Sequence, residues 1–377
     1  MQMKRFGLCA ALSAAALLLL AGCAGSGNTA APTLTVESSY PLQYAKQFTV
    51  DECTGGYERI TIADSQYLVV PQGAAVPEDL PQGTTVLQQP IENIYLVSTS
   101  AMDPIISLGA LDSIALSGTK ADGWYLPEAK AAMQAGQIAY AGKYSAPDYE
   151  KILAANCGLA IENTMIYHTP EVKEQLERFG IPVLVERSSY ESGPLARLEW
   201  LKFWGILLGK EELAEQEFAR QVERLAPLAG QAPTGKRCAF FSITANNLAN
   251  VRKGGDYVAQ MIEMAGGDYV FADLTDNGNN LSTMNLPLED FYAGAKDADV
   301  LLYNSTIEGS IASTEQLVEK CPLLAQFKAV QNGNVWCTAQ SLFQQSMELP
   351  DLILDMNRVF TEGTPADSEL TFLTHVE

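Results

Sequence analysis

The sequence predicts an α/β protein of two lobes with mainly parallel central sheets and flanking helices. One long α-helix joins the lobes, and a small β-hairpin region lies near the mature N-terminus. Three observations lead there. Short apolar runs alternate with helical segments from Ile91 to Glu186, residues 210–230 carry helical spacing with no strand inside, and the alternation resumes at Arg237. Hydrophobic residues make up 47% of the 377, a globular composition rather than a disordered one, and the chain is comfortable for two domains.

Residues 1–22 read as a signal peptide. Lys4 and Arg5 precede an uncharged stretch from Phe6 to Leu20. That stretch matches a secretory apolar region and falls short of the ~20 apolar residues a membrane-spanning helix needs. Leu20-Ala21-Gly22-Cys23 resembles the bacterial lipobox, which implies cleavage before Cys23 and a lipid on its sulfur. An ordinary signal peptide followed by an incidental cysteine is the alternative. Residues 23–35 open with small, uncharged side chains and suit a flexible tether. The expected place is extracytoplasmic, at the cell membrane, held by the lipidated cysteine.

Residues 36–209 form the expected N-terminal lobe. "FTVDECTGGYERITI" places two runs rich in Thr, Ile, Val and Tyr around Gly55-Gly56, a hairpin signal, and "QYLVVP" adds a third strand. From Ile91 the strand–helix rhythm argues for parallel strands with crossover helices. "TPEVKEQLERFG" opens with a Thr169 N-cap and Pro170 at the first helical position, and Gly180 closes it. Residues 210–230 supply the connecting helix, with Leu213, Phe218, Val222 and Leu225 at helical spacing. Residues 231–377 form the C-terminal lobe, ending in the amphipathic "LPDLILDMNRVFTEG".

The mature chain has 22 Lys and Arg against 45 Asp and Glu, a formal charge of −23. Phosphate contact needs clustered basic residues, so no nucleic-acid partner is expected. Of seven cysteines, Cys9 leaves with the signal and Cys23 would carry the lipid. Five remain, an odd number, with no C-x-x-C. Cys321 and Cys337 bracket a helix–loop–strand segment and are the candidate disulfide, with two buried thiols as the alternative.

The lipobox, two α/β lobes and connecting helix together resemble the ABC-transporter substrate-binding lipoproteins with a helical backbone, the iron-siderophore and cobalamin receptor family. "YSAPDYEKILAANCGLAI" resembles the N-lobe segment of that family and departs from it at Asn156-Cys157-Gly158, where Pro-Asp is usual. "LPLEDFYAGAKDADVLLY" resembles the C-lobe counterpart, and "EKCPLLAQFKAVQNGNVWC" a segment near the end of that lobe. The resemblance runs from about Ile91 to Phe360 and leaves the hairpin region unexplained.

It implies a non-enzymatic, monomeric receptor without a cofactor or resident metal. Such a receptor delivers a small molecule to an ABC permease dimer and its ATPase. It also implies that Glu150 and Glu289 dock on permease arginines. The plainer alternative is an acidic residue favoured by the dipole in the first turn of a helix. Ligand is expected between the lobes at strand ends. The candidates there are Met102, Trp124, Tyr125, Lys143, Tyr144, Tyr167, Arg187 and Tyr190 in the N-lobe, with Arg252, Lys253, Tyr303 and Phe343 in the C-lobe. Basic groups suit an anionic iron chelate such as a ferric siderophore, and aromatic walls suit a bulky ligand. Arg197 stands near a helix start and reads as structural. Cobalamin or haem is the alternative ligand, although His168 and His375 are the two histidines available as an axial ligand. A membrane-anchored hydrolase is the rival class, but no G-x-S-x-G, H-E-x-x-H or G-x-x-x-x-G-K-[ST] motif supports it.

Overall fold

A computed structural model describes residues 33–275 and 282–377. The expected signal peptide, Cys23 and the tether up to residue 32 lie outside the described residues.

The hairpin region grows into a five-stranded sheet. Around Gly55-Gly56, β2 (Phe48–Cys53) pairs antiparallel with β3 (Tyr57–Ile62), which pairs with β4 (Ser65–Val70). β1 (Val36–Ser39) and β5 (Thr85–Gln88) complete the order β1-β2-β3-β4-β5. Period-two alternation sends Phe48, Val50, Ile60, Ile62, Tyr67 and Val69 to one face. That face packs on Trp200 and Phe203, whose rings lie 4.8 and 5.3 Å from Phe48 in edge-on contacts.

The N-lobe sheet comprises β6 (Ile94–Leu96), β7 (Ile114–Ser117), β8 (Ala139–Tyr140), β11 (Ala160–Glu162) and β12 (Val183–Val185). Its order is β12-β11-β6-β7-β8 and every pairing is parallel. β9 (Gly142–Lys143) and β10 (Ala146–Pro147) form a separate small hairpin. The crossovers carry α1 (Met102–Ser107), α2 (Pro127–Gln134), α3 (Tyr149–Ala154) and α4 (Pro170–Arg178). Tyr95, Ala160, Val183 and Val185 pack with Ile152 and Leu176 of α3 and α4 on one face. Leu96, Ile161 and Leu184 pack on the other face, toward Met102 of α1.

The link between lobes differs from the expected single helix. α5 (Pro194–Leu208) is buried nearly all round, and α6 (Glu211–Glu223) folds back against it. Gly209, at φ 64°, makes the left-handed turn between them, a conformation glycine adopts without penalty. The crossing is close because Gly205 has no side chain. A Cβ there would stand 2.5 Å from the Ala214 Cβ. α6 ends at Glu223 rather than continuing to residue 230, and Pro227 sits in the short turn that follows. Leu225 then enters the C-lobe core, and Arg224 pairs with Asp351.

The C-lobe sheet is mixed. β13 (Lys236–Ile243), β14 (Ala249–Arg252), β15 (Gly267–Tyr269), β16 (Thr283–Leu286), β17 (Val300–Tyr303), β18 (Val335–Thr338) and β19 (Leu373–His375) take the order β16-β14-β13-β17-β18-β19, with β15 alongside β13. β13, β15, β17 and β18 are parallel, whereas β14, β16 and β19 add antiparallel pairings. α7 (Tyr257–Met264), α8 (Leu288–Ala295), α9 (Ser305–Glu308), α10 (Thr314–Lys320), α11 (Lys328–Gln331) and α12 (Leu349–Glu362) flank it.

A second connection runs back from the C-lobe. In residues 339–348, Gln344 Nε2 donates to Gly123 O at 2.8 Å and its Oε1 accepts from Tyr125 N at 2.8 Å. Ser346 Oγ donates to Ser100 O at 2.9 Å, Met347 N donates to Asp103 Oδ2 at 2.7 Å, and the Met347 side chain joins the N-lobe core.

The expected Cys321–Cys337 disulfide is absent, and Cys53, Cys157, Cys238, Cys321 and Cys337 are free thiols. Cys321 and Cys337 are small buried residues of the C-lobe core, and Cys337 Sγ accepts from Ile311 N at 3.5 Å. Burial pushes the Cys337 thiol above its ordinary range.

Candidate functional site

The N-lobe strand order reverses between β6 and β11, because β7 and β8 extend the sheet one way and β12 the other. Such a switch point leaves a crevice at the carboxyl ends of the strands. Ser98, Thr99 and Ser100 follow β6 there, Asn163 follows β11, and Glu186 follows β12. A cavity of about 250 Å³ opens at this place, and its far wall comes from the other lobe and from α5: Arg197, Arg252, Tyr257, Ser282 and Phe343.

The two walls differ in charge. Glu186 is 2% exposed, and its carboxylate accepts from Ser98 Oγ at 2.9 Å, Ser100 Oγ at 3.0 Å and Ser188 N at 2.6 Å. Opposite, the Arg252 guanidinium lies 4.6 Å from the centre of the Phe343 ring, donates to Ser282 Oγ at 3.3 Å, and pairs with Asp256 at 3.6 Å. Asp256 also caps α7 by accepting from Val258 N at 3.0 Å. Burial raises its carboxyl above the ordinary range while Arg252 pulls the other way. The Arg197 guanidinium lies over the Tyr257 ring at 4.8 Å. The arrangement offers cations and aromatic faces on one side, and hydroxyls and a carboxylate on the other.

Of the twelve predicted ligand residues, Arg252 and Phe343 line this cavity. Met102, Trp124 and Tyr303 are buried in the cores, where Trp124 Nε1 donates to Ser117 Oγ at 3.2 Å and the ring of Tyr303 meets Phe241 edge-on. Tyr125 and Tyr167 are exposed outside it. Lys143 is exposed on the small hairpin, and Tyr144 packs on the N-lobe core. Arg187 turns away, its Nε donating to Gln47 Oε1 at 3.2 Å and its guanidinium lying over Tyr190. Lys253 is next to the site but not among its lining residues. Asn163, Glu186, Arg197, Tyr257 and Ser282 also line it and were not assigned to ligand from the sequence; the meeting of Arg197 with Tyr257 depends on how α5 and α7 approach.

Glu150 and Glu289 are both exposed in the first turns of α3 and α8, one on each lobe. His168 is exposed, whereas His375 lies in β19 opposite Trp336 of β18, and its ring packs on that tryptophan. Among the described residues, no group of three or more His, Cys, Asp or Glu is arranged to hold a metal ion, and no helix is long and apolar enough to cross a membrane.

No family model matches the sequence. An uncharacterized lipoprotein of Methanocaldococcus jannaschii is 26% identical over 239 residues, covering 62% of this chain and 55% of that protein. The chain thus spans about half the length of the curated relative it matches. A periplasmic heme binding protein of Vibrio cholerae superposes with a TM-score of 0.58 at 17% identity, over 73% of this chain and 99% of that one. A periplasmic binding protein of Veillonella parvula gives 0.57 at 15% identity, over 84% and 98%. An ABC-type Fe3+-hydroxamate transport system structure from Saccharomonospora viridis gives 0.56 at 20% identity, over 72% and 94%. The chain therefore has the two-lobed α/β fold of the periplasmic substrate-binding proteins of ABC importers, the group its sequence resembles.

Proposed function

We propose that this chain is the lipid-anchored, extracytoplasmic solute-binding component of an ABC importer, which takes an iron chelate between its lobes and delivers it to a permease dimer. One observation carries the reading: a cavity at the switch point, lined from both lobes, with two arginines on one wall. The names of two similar structures, a heme binding protein and an Fe3+-hydroxamate system, support a chelated-metal ligand. The cavity, at about 250 Å³, lies below the ~300–1,000 Å³ typical of pockets that enclose drug-sized ligands, which favours a compact chelate over a tetrapyrrole. Glu150 and Glu289, exposed on separate lobes, serve as paired docking carboxylates that orient the receptor on a two-fold partner while each contributes little alone.

Calorimetric titration of the protein from residue 24 onward tests this. Trp124, Trp200, Trp204 and Trp336 are all buried away from the cavity, so heat is a better readout than tryptophan quenching. The panel holds ferric catecholate, hydroxamate and carboxylate chelates, haem and cobalamin. Saturable one-to-one binding of a ferric chelate is expected. Binding of haem or cobalamin instead would keep the transport role and overturn the ligand. Silence toward every member would overturn the receptor reading.

A further inference from the structure

Among the described residues, buried cations come with counter-charges, with one exception. Lys202, 3% exposed, has Glu199 at 3.3 Å and Glu215 at 3.1 Å. Arg252 has Asp256. Arg197 is 5% exposed, its Nε has no hydrogen-bond partner, and among the described residues no carboxylate lies within ion-pair distance of its guanidinium. Asp256, the acid whose field reaches it, is already engaged with Arg252 and the start of α7. Tyr257 offers a ring face, which orients the guanidinium plane without neutralising it.

An isolated buried charge costs several kcal/mol unless something compensates it. Arg197 borders the inter-lobe cavity, so the compensation can come from whatever enters. The opposite wall presents Ser98, Ser100 and Glu186, which suit donor groups on the far side of the same molecule. A planar two-oxygen anion matches the guanidinium fork better than a point charge does.

We infer that Arg197 is the residue that reads the anionic group of the ligand, and that this group is a carboxylate: the cargo is a hydroxycarboxylate-type chelate, with a carboxylate not bound to the metal against Arg197 and its hydrogen-bond donors, such as metal-bound water, toward the Ser98–Ser100–Glu186 wall. This rests on the receptor reading and narrows it to one ligand class. Arg252, already paired, is the supporting cation rather than the principal one.

The test uses the protein from residue 24 onward and the variants Arg197→Lys and Arg197→Met. Probes are ferric citrate, iron-free citrate, a neutral ferric hydroxamate, and inorganic sulfate for tetrahedral anions. The wild type should bind ferric citrate. Arg197→Lys should weaken it at least about tenfold, and Arg197→Met by about 10- to 150-fold, the range for hydrogen bonds to charged groups. A second readout separates ligand reading from a structural role. Without ligand, Arg197→Met should melt at a higher temperature than the wild type, because an uncompensated buried charge is gone; a merely structural arginine would melt lower. Equal binding of either citrate form to wild type and Arg197→Met overturns the inference and leaves the receptor reading standing, whereas the neutral ferric hydroxamate should not distinguish the two proteins. Preference for sulfate over both citrate forms overturns the carboxylate assignment, and so does silence toward both citrate forms. Silence toward every ferric chelate with retained binding of iron-free citrate keeps the contact between Arg197 and a carboxylate but overturns the chelate cargo.

Discussion

Glu162, the last residue of β11, is fully buried, and neither of its carboxylate oxygens has a hydrogen-bond partner. Burial alone pushes its carboxyl up from 4.5 to about 8. The folded state therefore holds this proton more tightly than the unfolded state. The resulting stability is fully present below about 4.5, declines as pH rises, and is gone above about 8, at about 1.4 kcal/mol per pH unit across that window. Asp103 acts in the same direction: burial first, then the neighbouring Glu348, raises its carboxyl, although it also accepts from Met347 N across the lobes. Melting temperature should fall from pH 5 to pH 8. Glu162→Gln should flatten much of that slope, and a variant with the wild-type slope would contradict the assignment. None of this was visible in the sequence, where Glu162 ends an apolar run as any strand-terminal acid might. Arg197 is a similar case: a charge near a helix start reads as structural, and nothing in the sequence shows that it borders a cavity between the lobes.

At the scale of elements, the strand–helix alternation of the N-lobe was legible because crossover helices such as α2 and α4 keep a polar face and strands such as β6 and β12 are short apolar runs. α5 was not, because "PLARLEWLKFWGILL" is buried nearly all round, its charged Arg197, Glu199 and Lys202 included, and shows no apolar stripe. Only α6, with one wet face, stood out as the link. The hairpin strands were readable from Gly55-Gly56, but their docking on α5 was not. That docking is held by Glu199, which is fully buried and accepts from the backbone N–H groups of Gln43, Tyr44 and Ala45 at 2.7–3.1 Å. The α5–α6 crossing makes a sharp prediction. Gly205→Val would drive a side chain into Ala214 and the Lys210 carbonyl, and should cost about 1–3 kcal/mol of unfolding free energy, seen as a lower urea midpoint. An unchanged midpoint would mean that the two helices can part at little cost.

Across the whole molecule, the lobes are tied twice. α5 and α6 form one tie, and Leu195 at the start of α5 packs against both cores. The other is the 339–348 return, which places Gln344, Ser346 and Met347 on the N-lobe beside the cleft. Rotation of one lobe would break the hydrogen bonds of Gln344, Ser346 and Met347 and pull Met347 from its core, so ligand should change the lobe angle by a few degrees at most. Small-angle scattering with and without a bound chelate should give superimposable curves, and a clear compaction would refute the double tie. The two-lobe plan itself was legible in the order of elements, whereas the second tie was not, since "SLFQQSMELP" carries no period and its partners lie more than two hundred residues away.

That return segment also bears on time rather than shape. A receptor whose mouth is held at nearly constant width has no closing step to gate capture, so ligands of different affinity should enter at similar rates and differ in how long they stay. It likewise has no spring of its own with which to expel its cargo. Under the proposed import role, unloading would then need outside work applied to both lobes, by way of the proposed docking residues Glu150 and Glu289, and the partner rather than the receptor would set the pace of delivery.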